Sequence, residues 1–578
     1  YYPYGEFASN VIGFTGDDNQ GLYGLEYYYE NELRGTNGRI ITVKDAQKHD
    51  LPTDYETSID AVDGNSLVLT INQNVQYTLE KNLSATMNEY KAKGAYGVVM
   101  NCKTGGVLAM ASLPDYDCNN PHKLTYSKNI KAIEKITDEK EKTIARSDAI
   151  QNQWNNFVTS STYEPGSVFK TFIAAAALEE NIVNLNTTYT CTGSIRVKDY
   201  VMRCHYHPGH GTETFTQGLE NSCNPFFITV GQKLGVHNYF KYFEAFGFTQ
   251  KTGIDLPGEA GSQYYKENQY GIVELSSASF GQSNSLTPIQ LCTGLCAIAN
   301  GGTLLKPYVV DHIIDANGNT VKKTQPTEVR RVISEDTSKK VRGMMKSVVD
   351  NGTGKNGYVA GYRVGGKTGT STKLAESTNG KTKYIVSFAA IAPSDDPQVA
   401  MIIIIDEPNQ DLGGGALCAP IAAQVVGTCM QEMNIEPEYD DKESKNLSVF
   451  TPNVIGKTVD EAKSVLNSKN LKCKVIGDGK KVVRQSPASS STIPTNGTVI
   501  LYTTKEEKKT VTVPDFTGLT ISEANALASE NNLNIEISGI NLSASNVVAY
   551  RQSTEKGATV SAGTVITVSF KNTNSVLD

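Results

Sequence analysis

Residues 169–178 constrain the fold of this chain more than any other segment. Their sequence, FKTFIAAAAL, combines strong helix formers with apolar side chains on nearly every face of a helix. A helix that is apolar all round has to be covered by protein on every side. Pro165-Gly166 precedes the segment and predicts where the helix begins. We therefore expect a buried helix inside a large domain, with Ser167 at its N-terminus.

Ser167 and Lys170 have the spacing of a nucleophile and its base. Residues three positions apart share one face of a helix, so the lysine amine stands beside the serine hydroxyl that it would deprotonate. Burial and a second lysine nearby would both favour the neutral, basic form of Lys170. The S-x-x-K pattern recurs at Ser553 to Lys556, so the spacing is not specific by itself.

Two further motifs follow Ser167 in the chain. Ser222-Cys223-Asn224 comes first, and Lys367-Thr368-Gly369-Thr370 comes later, after Gly366. K-T-G also occurs at Lys103 and Lys251, so a single match carries little weight. The three motifs in this order, with a buried helix behind the serine, predict an acyl-transfer active site.

Length and charge exclude several classes of protein. A chain of 578 residues predicts about three to five domains. The formal net charge is −7, from 54 basic and 61 acidic residues, and no Lys/Arg-rich block occurs, so we expect no nucleic-acid partner. The longest apolar run, residues 399–405, is far below the ~18–20 residues that span a bilayer. Tyr1 follows no initiator Met or signal peptide, so we expect a truncated N-terminus.

Apolar patterns divide the first 433 residues into two domains. Residues 1–94 contain a predicted strand near Leu67 to Ile71 and a helix over about 73–91. Residues 95–433 begin with a hairpin whose turn is Lys103 to Gly106. A second hairpin is predicted from two apolar strands, 384–392 and 398–405, around a Ser-Asp-Asp-Pro turn.

The C-terminal part contains an internal repeat. Residues 434–447 are polar and acidic, as in a linker. Beyond them, 448–504 and 510–571 share an N/D-x-x-G…E-A phrase, an R-Q-S phrase and a G-T phrase in the same order. Each copy has about 60 residues, which is long for a solenoid unit. We expect two small tandem domains of one helix and several strands each, joined by the charged segment 505–509.

The three motifs and their surroundings resemble the class B penicillin-binding proteins. The phrases STYEPGSVFK, NSCNPFF and TGIDLPGE are typical of these D,D-transpeptidases, and the two repeats resemble PASTA domains. Residues 4–38 resemble the end of the class B pedestal domain. The resemblance implies an α+β multidomain fold. It comprises an antiparallel sheet sandwiched by helices, a partial N-terminal pedestal or dimerisation domain and two C-terminal α+β PASTA modules.

The resemblance also implies a function and a location. Such an enzyme cross-links peptidoglycan stem peptides through a serine acyl-enzyme, reacts with β-lactams and needs no cofactor for catalysis. It acts on the extracytoplasmic face of the cell membrane, in spore cortex or septal wall synthesis. We expect an N-terminal anchoring helix missing from this chain, and a membrane-embedded glycosyltransferase partner.

Each motif residue then has an expected role. Ser167 is the nucleophile and Lys170 the general base, while Ser222 relays a proton to the leaving amine and Asn224 holds Lys170 and the substrate backbone. On the strand, Lys367, Thr368, Gly369 and Thr370 bind the substrate. Lys367 and Thr370 face its carboxylate, and Gly369 admits it close to the strand. By resemblance, the N–H groups of Ser167 and Thr370 form the oxyanion hole.

Cysteines and histidines cluster just before the S-x-N motif. Cys204, His207 and His210 have a spacing that can bind zinc, with Cys191, Asp199 or Cys223 as the fourth ligand of a structural site. Residues 191–204 read as a hairpin turning near Lys198-Asp199, so a Cys191–Cys204 disulfide is an alternative. A Cys204–Cys223 disulfide is a second alternative to the zinc site, and an unligated polar loop is the third.

Two other functions share part of this pattern. A β-lactamase also uses serine, lysine and K-T-G, but it deacylates with water and usually lacks extra domains. Glu164 is the carboxylate close to Ser167 in sequence, and we assign it to the turn rather than to the hydrolysis that a β-lactamase performs. A wall-binding or β-lactam-sensing protein would use the serine for a single turnover. Sustained transfer from a stem peptide to a D-amino acid separates a transpeptidase from a sensor, and rapid penicillin hydrolysis indicates a β-lactamase.

Overall fold

The computed structural model describes residues 1–41, 57–373, 382–438, 448–469, 471–489, 491–494, 497–504, 510–538 and 547–572. The helices are α1 Ser9–Ile12, α2 Gly24–Tyr28, α3 Glu30–Leu33, α4 Gln73–Glu89, α5 Ser127–Glu134, α6 Glu139–Trp154, α7 Phe157–Ser160, α8 Lys170–Glu179, α9 Phe215–Glu220, α10 Asn224–Ala245, α11 Ile272–Ala278, α12 Pro288–Ala299, α13 Glu335–Asp350, α14 Gly414–Leu417, α15 Ala419–Glu432, α16 Val459–Ser468 and α17 Ile521–Glu530.

The strands are β1 Arg39–Ile41, β2 Thr57–Ile59, β3 Ser66–Leu69, β4 Gly94–Asn101, β5 Val107–Leu113, β6 Thr188–Cys191, β7 Ser194–Val197, β8 Tyr200–Arg203, β9 Gly211–Thr214, β10 Thr303–Leu305, β11 Val310–Ile314, β12 Thr320–Lys323, β13 Glu328–Arg331, β14 Gly365–Thr372, β15 Tyr384–Ala392, β16 Val399–Asp406, β17 Ser448–Phe450, β18 Lys472–Ile476, β19 Arg484–Ser486, β20 Thr492–Pro494, β21 Thr498–Tyr502, β22 Thr510–Thr512, β23 Asn534–Ser538, β24 Val547–Gln552, β25 Thr559–Ser561 and β26 Val565–Asn572.

An antiparallel five-stranded sheet, ordered β14-β15-β16-β4-β5, forms the middle of the large domain. Both hairpins expected from the apolar runs are present in it. Because side chains alternate along a strand, Ile403 packs towards α4 and α15 while Ile404 packs towards α8 and α12. The sheet is therefore covered by helices on both faces, as predicted, and β14 lies at its edge.

Helix α8 is as buried as its sequence predicts. All residues from Lys170 to Leu178 are buried, and a 3-10 turn, Gly166–Phe169, leads into the helix. Phe169 and Phe172 pack among aromatic rings of α10 and Phe248. Ser167 consequently lies on a turn that is fixed from behind by a rigid element.

Helix α4 lies between the sheet and the N-terminal part of the chain. Val75, Leu79 and Leu83 are almost fully buried in the same core as β4, β15 and β16. Gln76 also exchanges two hydrogen bonds of 2.8 Å with the backbone of Met110 on β5. On the other side, Glu80 accepts from the Ala8 N–H at 2.8 Å, so α4 connects the residues before 94 to the sheet.

The two C-terminal repeats have the same topology. Each pairs a helix with a mixed three-stranded sheet, β18-β21-β19 in the first and β23-β26-β24 in the second, and adds a two-stranded ribbon. Both helices begin with a capping box, at Thr458 and at Thr520. The predicted linker residues 439–447 and the segment 505–509 lie outside the described residues.

The repeats, expected from their length to be two tandem domains, are in contact with each other. The buried Asn534 accepts from the Thr498 N–H and donates to the Thr498 carbonyl, both at 3.0 Å. Ser486 donates to the carbonyl of Ala562 at 2.7 Å. The second repeat also contacts the large domain, since Gln424 on α15 hydrogen-bonds Ser538.

Within the described ranges, every helix is too short or too polar to cross a bilayer.

Candidate active site

Three separate elements bring the motif residues together. Ser167 is 7 % exposed on the turn before α8. Ser222 ends the turn between α9 and α10, and Asn224 is the first residue of α10. Lys367 to Thr370 lie on the edge strand β14, which packs against the Ser167 turn. The order of motifs in the sequence thus becomes one site in space.

Lys170 is held by the S-x-N motif. Its Nζ donates to the Ser222 carbonyl at 2.6 Å, to Ser222 Oγ at 3.1 Å and to Asn224 Oδ1 at 2.7 Å. The side chain is fully buried, and the amide of Asn224 is itself tied to the Arg203 carbonyl at 3.2 Å. The lysine amine is therefore oriented by neutral acceptors, as a buried base requires.

Ser222 Oγ lies between the two motif lysines. Lys367 Nζ donates to it at 2.9 Å, opposite Lys170, and Lys367 is also fully buried. Ser222 has a φ of 54°, a left-handed conformation that costs a non-glycine residue free energy and is retained where it aims a functional group. Two ammonium groups on one hydroxyl repel, so this arrangement disfavours the simultaneous protonation of Lys170 and Lys367.

The strand residues differ in what they offer a substrate. Among the described residues, Thr370 Oγ1 is buried without a hydrogen-bond partner, as a group reserved for a ligand would be. Thr368 instead turns its hydroxyl to Thr353 at 2.9 Å and to Lys367 at 3.1 Å. The Thr368 side chain is fully buried and contacts Lys367, so its expected binding of substrate stays a prediction.

Gly369 is required by contacts within the protein. A Cβ at this position would lie 2.5 Å from Ser387 Oγ and 2.9 Å from the Pro165 carbonyl oxygen. The absence of a side chain lets β14 press against the nucleophile turn, which sequence reasoning had attributed to the approach of the substrate. For either reason, the lack of a side chain at residue 369 keeps the strand close to the turn that bears Ser167.

A groove of about 950 Å³ extends from the far end of the motif strand. Ser371, Thr372 and Lys373 line one side, and Glu164 lines the side that leads to Ser167. Tyr96 and Phe157, stacked at 3.7 Å between ring centroids, also line it. Its size is that of a ligand site, and Glu164 and Ser371 in its lining are close in sequence to Ser167 and Thr370.

Sequence reasoning missed the loop 281–283, which lies against the nucleophile turn. The Gly166 N–H donates to the Gly281 carbonyl at 3.0 Å, and the Ser283 N–H donates to Glu164 at 2.8 Å. The phrase FGQSNS that contains this loop is polar and glycine-containing, but it has no motif of recognised chemistry. Only the folded chain shows that it touches the site.

A cysteine and histidine cluster adjoins the S-x-N motif. Ligand atoms of Cys191, Cys204, His210 and Cys223 all lie within 4.8 Å of one another. His207 and Asp199, both considered as ligands, are exposed and lie outside this group. The spacing would bring His207 beside His210 only in a helix. Residues 205–210 form turns instead, which leaves His207 outside the cluster.

The cluster favours a thiolate. A hydrogen bond from Cys223 lowers the pKa of the Cys204 thiol, and those from His205 and His210 lower it further. His210 Nδ1 lies 3.6 Å from Cys204 Sγ. All ten cysteines are free thiols, so neither predicted disulfide is formed. Three sulfurs and one imidazole in a closed, buried group are the donor set of a structural zinc site.

Comparison with known proteins agrees with the geometry. The family model described as the penicillin binding protein transpeptidase domain matches residues 95–427, more than half of the chain. The chain belongs to this family. Models for the penicillin-binding protein dimerisation domain and the PASTA domain match residues 1–69 and residues 449–505 and 511–572. The class B resemblance is thereby confirmed.

Individual relatives cover most of this penicillin-binding protein. Stage V sporulation protein D of Bacillus subtilis is 37 % identical over 517 residues, which are 88 % of this chain and 76 % of that protein. PbpB of Mycolicibacterium smegmatis is 29 % identical over 75 % of this chain and 65 % of its own length. The structure of penicillin-binding protein 3 of Mycobacterium tuberculosis with aztreonam superposes with a TM-score of 0.62, at 28 % identity, over 76 % of this chain and 91 % of that one.

Proposed function

We propose that this class B penicillin-binding protein is a serine D,D-transpeptidase that cross-links peptidoglycan stem peptides in spore cortex or septal wall synthesis. The observation that carries the proposal is the convergence of Lys170 and Lys367 on Ser222 Oγ, beside the turn that bears Ser167. Stage V sporulation protein D and FtsI, the peptidoglycan D,D-transpeptidase of Escherichia coli, are among its relatives, which supports the physiological assignment.

The first half-reaction follows from the roles of these groups. Ser167 Oγ attacks the carbonyl carbon of the penultimate D-Ala while Lys170 accepts the hydroxyl proton. The backbone N–H groups of Ser167 and Thr370 stabilise the oxyanion. The amide C–N bond then breaks, and the proton passes from Lys170 through Ser222 to the departing amine of the terminal D-Ala. Lys367 and Thr370 bind the carboxylate of that residue.

The second half-reaction uses the same groups in reverse. An acceptor amine attacks the carbonyl carbon of the Ser167 ester and gives its proton to Lys170 through Ser222. The ester C–O bond breaks, Lys170 returns the proton to Ser167 Oγ, and the product with its new amide bond leaves. A β-lactam enters the first half-reaction, but its ring-opened amine stays attached and blocks the acceptor. The acyl-enzyme with penicillin should therefore persist.

Intact-mass spectrometry tests the nucleophile. After incubation with penicillin, the protein should gain the mass of one penicillin molecule, and Ser167→Ala should gain none. The Ser553→Ala variant is the matched control, because Ser553 heads the other S-x-x-K sequence. A penicillin adduct on Ser167→Ala would refute the assignment.

A single-turnover wall-binding or β-lactam-sensing protein is the second candidate, since the same serine would capture β-lactam in both. Incubation with a stem-peptide donor and a D-amino acid acceptor distinguishes them. A transpeptidase accumulates many equivalents of exchanged peptide, whereas a sensor stops at one equivalent per serine.

We also propose a structural zinc ion held by Cys191, Cys204, His210 and Cys223. The support is the closed group of four donors within 4.8 Å and the thiolate character of Cys204. Bound zinc would tie β6, the β8 end and the N-terminus of α10 together, and would thereby stabilise the fold around the S-x-N motif.

Metal analysis tests the zinc. Protein purified without chelator should contain about one equivalent, and chelation should lower its melting temperature. Cys204→Ser should lower the melting temperature and remove the chelator effect, whereas Cys473→Ser in the first repeat should leave both unchanged. Less than about a tenth of an equivalent of zinc would end the proposal.

The location and the partner are part of the proposal as well. Stem peptides and β-lactams meet outside the cytoplasmic membrane, so we place the enzyme there, anchored by a helix that precedes Tyr1 and associated with a membrane-embedded glycosyltransferase. Cross-linking in membranes of sporulating cells, followed by mass spectrometry, should recover a glycosyltransferase with the full-length protein.

A further inference from the structure

Three backbone segments meet at the nucleophile turn. They are residues 164–167, the loop 281–283 and residues 369–371 of β14. The Gly166 N–H donates to the Gly281 carbonyl at 3.0 Å, which joins the first two segments directly. The first and third segments carry the two N–H groups that stabilise the oxyanion, on Ser167 and Thr370.

The backbones are packed with almost no free space between them. Gly166 has a φ of 54°, and a Cβ there would lie 2.4 Å from the Thr370 carbonyl oxygen. Gly281 has a φ of 85°, and a Cβ there would lie 1.9 Å from the Gly166 carbonyl oxygen. Two glycines in left-handed conformations therefore allow this approach, but neither has a side chain that could supply an interaction with β14.

The Glu164 carboxylate supplies that interaction. Oε1 accepts from the Ser283 N–H at 2.8 Å, and Oε2 accepts from Ser371 Oγ at 3.2 Å. One side chain thus connects all three segments. Glu164 precedes Ser167 by three residues, and Ser371 directly follows Thr370, so the bridge lies beside both oxyanion donors.

We infer that Glu164 is a positioning residue that sets the separation between the Ser167 and Thr370 N–H groups. This inference rests on the proposed acylation of Ser167. Hydrogen bonds from one side chain to two segments restrain the turn against the strand, and it is their geometry that the role requires. Because oxyanion stabilisation depends steeply on donor geometry, loosening the bridge slows acylation while the non-covalent binding of β-lactam changes little.

A catalytic carboxylate, such as a general base for hydrolysis, would behave differently. Both oxygens of Glu164 are already engaged by donors from the protein. A glutamine of the same shape can accept from the Ser283 N–H with its carbonyl and donate to Ser371 Oγ with its NH₂. A positioning role survives this exchange, whereas a role that needs the negative charge does not.

Stopped-flow acylation with a chromogenic β-lactam, performed on the whole chain, separates these roles. Glu164→Ala should lower the saturating acylation rate by about tenfold to a hundredfold with little change in the half-saturating concentration. Glu164→Gln should stay within about threefold of the wild type, and its pH–rate profile should keep the same shape. Ser371→Ala should fall between them, because it removes one arm of the bridge.

Glu179 offers a matched control. Its carboxylate accepts from the Ser334 N–H at 3.0 Å and from Ser334 Oγ at 2.7 Å, which is the same chemistry between two segments. It lies at the other end of α8, roughly 18 Å along the helix axis from Ser167. Glu179→Ala should lower the melting temperature and leave the acylation rate unchanged.

The outcomes decide between the alternatives. A wild-type acylation rate in folded Glu164→Ala overturns the inference, and so does a Glu164→Gln variant that is as slow as Glu164→Ala. If Glu164→Ala does not fold, equal rates in Ser371→Ala and the wild type overturn it as well. A wild-type protein that penicillin does not acylate would instead contradict the proposed function.

Discussion

At the scale of single residues, the site depends on two lysines that share one hydroxyl. Ser222 Oγ lies 3.1 Å from Lys170 Nζ and 2.9 Å from Lys367 Nζ, with both amines fully buried. The acceptors described around Lys170 are a carbonyl, a hydroxyl and an amide, which orient its amine towards the S-x-N motif. Lys367 approaches the same hydroxyl from β14.

Substitution of Lys170 and substitution of Lys367 should therefore affect acylation in different ways. Lys170→Ala should reduce the acylation rate constant by about a thousandfold or more, because the proton of Ser167 has no acceptor. Lys367→Ala should mainly raise the concentration of penicillin needed for half-saturation, because the carboxylate loses its partner. Rapid-quench measurement of acylation against penicillin concentration checks both, with circular dichroism as the control for folding. A normal rate in Lys170→Ala would contradict its role.

Asp115 should make the stability of the protein depend on pH. Burial, together with the nearby charges of Glu6 and Glu80, raises the pKa of this carboxyl from 3.8 to about 7. The folded state thus favours the protonated form, and its stabilising contribution is complete below about pH 4 and lost as the pH rises to about 7. Asp115→Asn should be more stable than the wild type at pH 8 by roughly 2–4 kcal/mol and equal to it near pH 3.5.

Urea unfolding of both proteins across this pH range measures the difference. Comparing wild type with variant cancels the titration of all other groups that the two share. A difference that does not change between pH 4 and pH 8 would show that folding does not raise the pKa of Asp115.

At the scale of elements, the two edge strands of the central sheet have different neighbours. β14 leaves its outer edge beside Ser167, where a substrate backbone can lie, whereas β5 at the other edge is met by Gln76 of α4. Gln76 satisfies the N–H and the carbonyl of Met110, two groups that an edge strand would otherwise expose or bury unpaired. One edge is therefore closed and the other serves the reaction.

Gln76→Ala should test the closed edge. The change leaves two buried backbone groups of Met110 without partners, so the free energy of unfolding should fall by about 2–4 kcal/mol. Acylation of Ser167 by penicillin should continue, because the sheet separates α4 from the active site. Thermal unfolding and a penicillin-labelling assay on the same sample check both parts; an unchanged melting temperature would mean that water replaces the amide.

Local apolar periodicity predicted most of these helices and strands from the sequence. The contacts that were not predicted are those between segments far apart in the chain. The buried helix, the two hairpins and α4 were predicted because apolar periodicity is a property of neighbouring residues. The contact of Gly281 with Gly166 and the choice of Cys191 and Cys223 over His207 depend on tertiary packing. The helix over 73–91 was predicted, but its packing on the sheet was not, since periodicity shows that a face is buried and not which partner covers it.

At the scale of the whole molecule, the catalytic domain and the two repeats form a connected chain of contacts. Gln424 joins α15 to the second repeat at Ser538, and Asn534 joins that repeat to the first. A fully hydrogen-bonded buried asparagine between two modules fixes their register, because any other arrangement leaves its amide unpaired. The repeats should therefore move together.

Removing the repeats should leave the chemistry intact. A chain ending after Met433 keeps every motif residue and should be acylated by penicillin at the rate of the whole chain, because the described hydrogen bonds that join Lys170, Ser222 and Lys367 lie entirely before residue 433. Asn534→Ala in the full-length protein should lower the melting temperature of the repeats without changing acylation. Slow acylation in a folded truncation would show that the repeats shape the site.

The burial of α8 on every side has a consequence for the evolution of antibiotic resistance. A mutation on this helix alters a packed core. A substitution there that lowered the reaction with β-lactams would therefore also destabilise the folded enzyme. Tolerated changes are expected instead on the walls of the groove beyond Thr370, where Thr372 and the residues facing it can vary without disturbing the core. Under drug selection, substitutions should therefore accumulate along the approach to the serine rather than behind it.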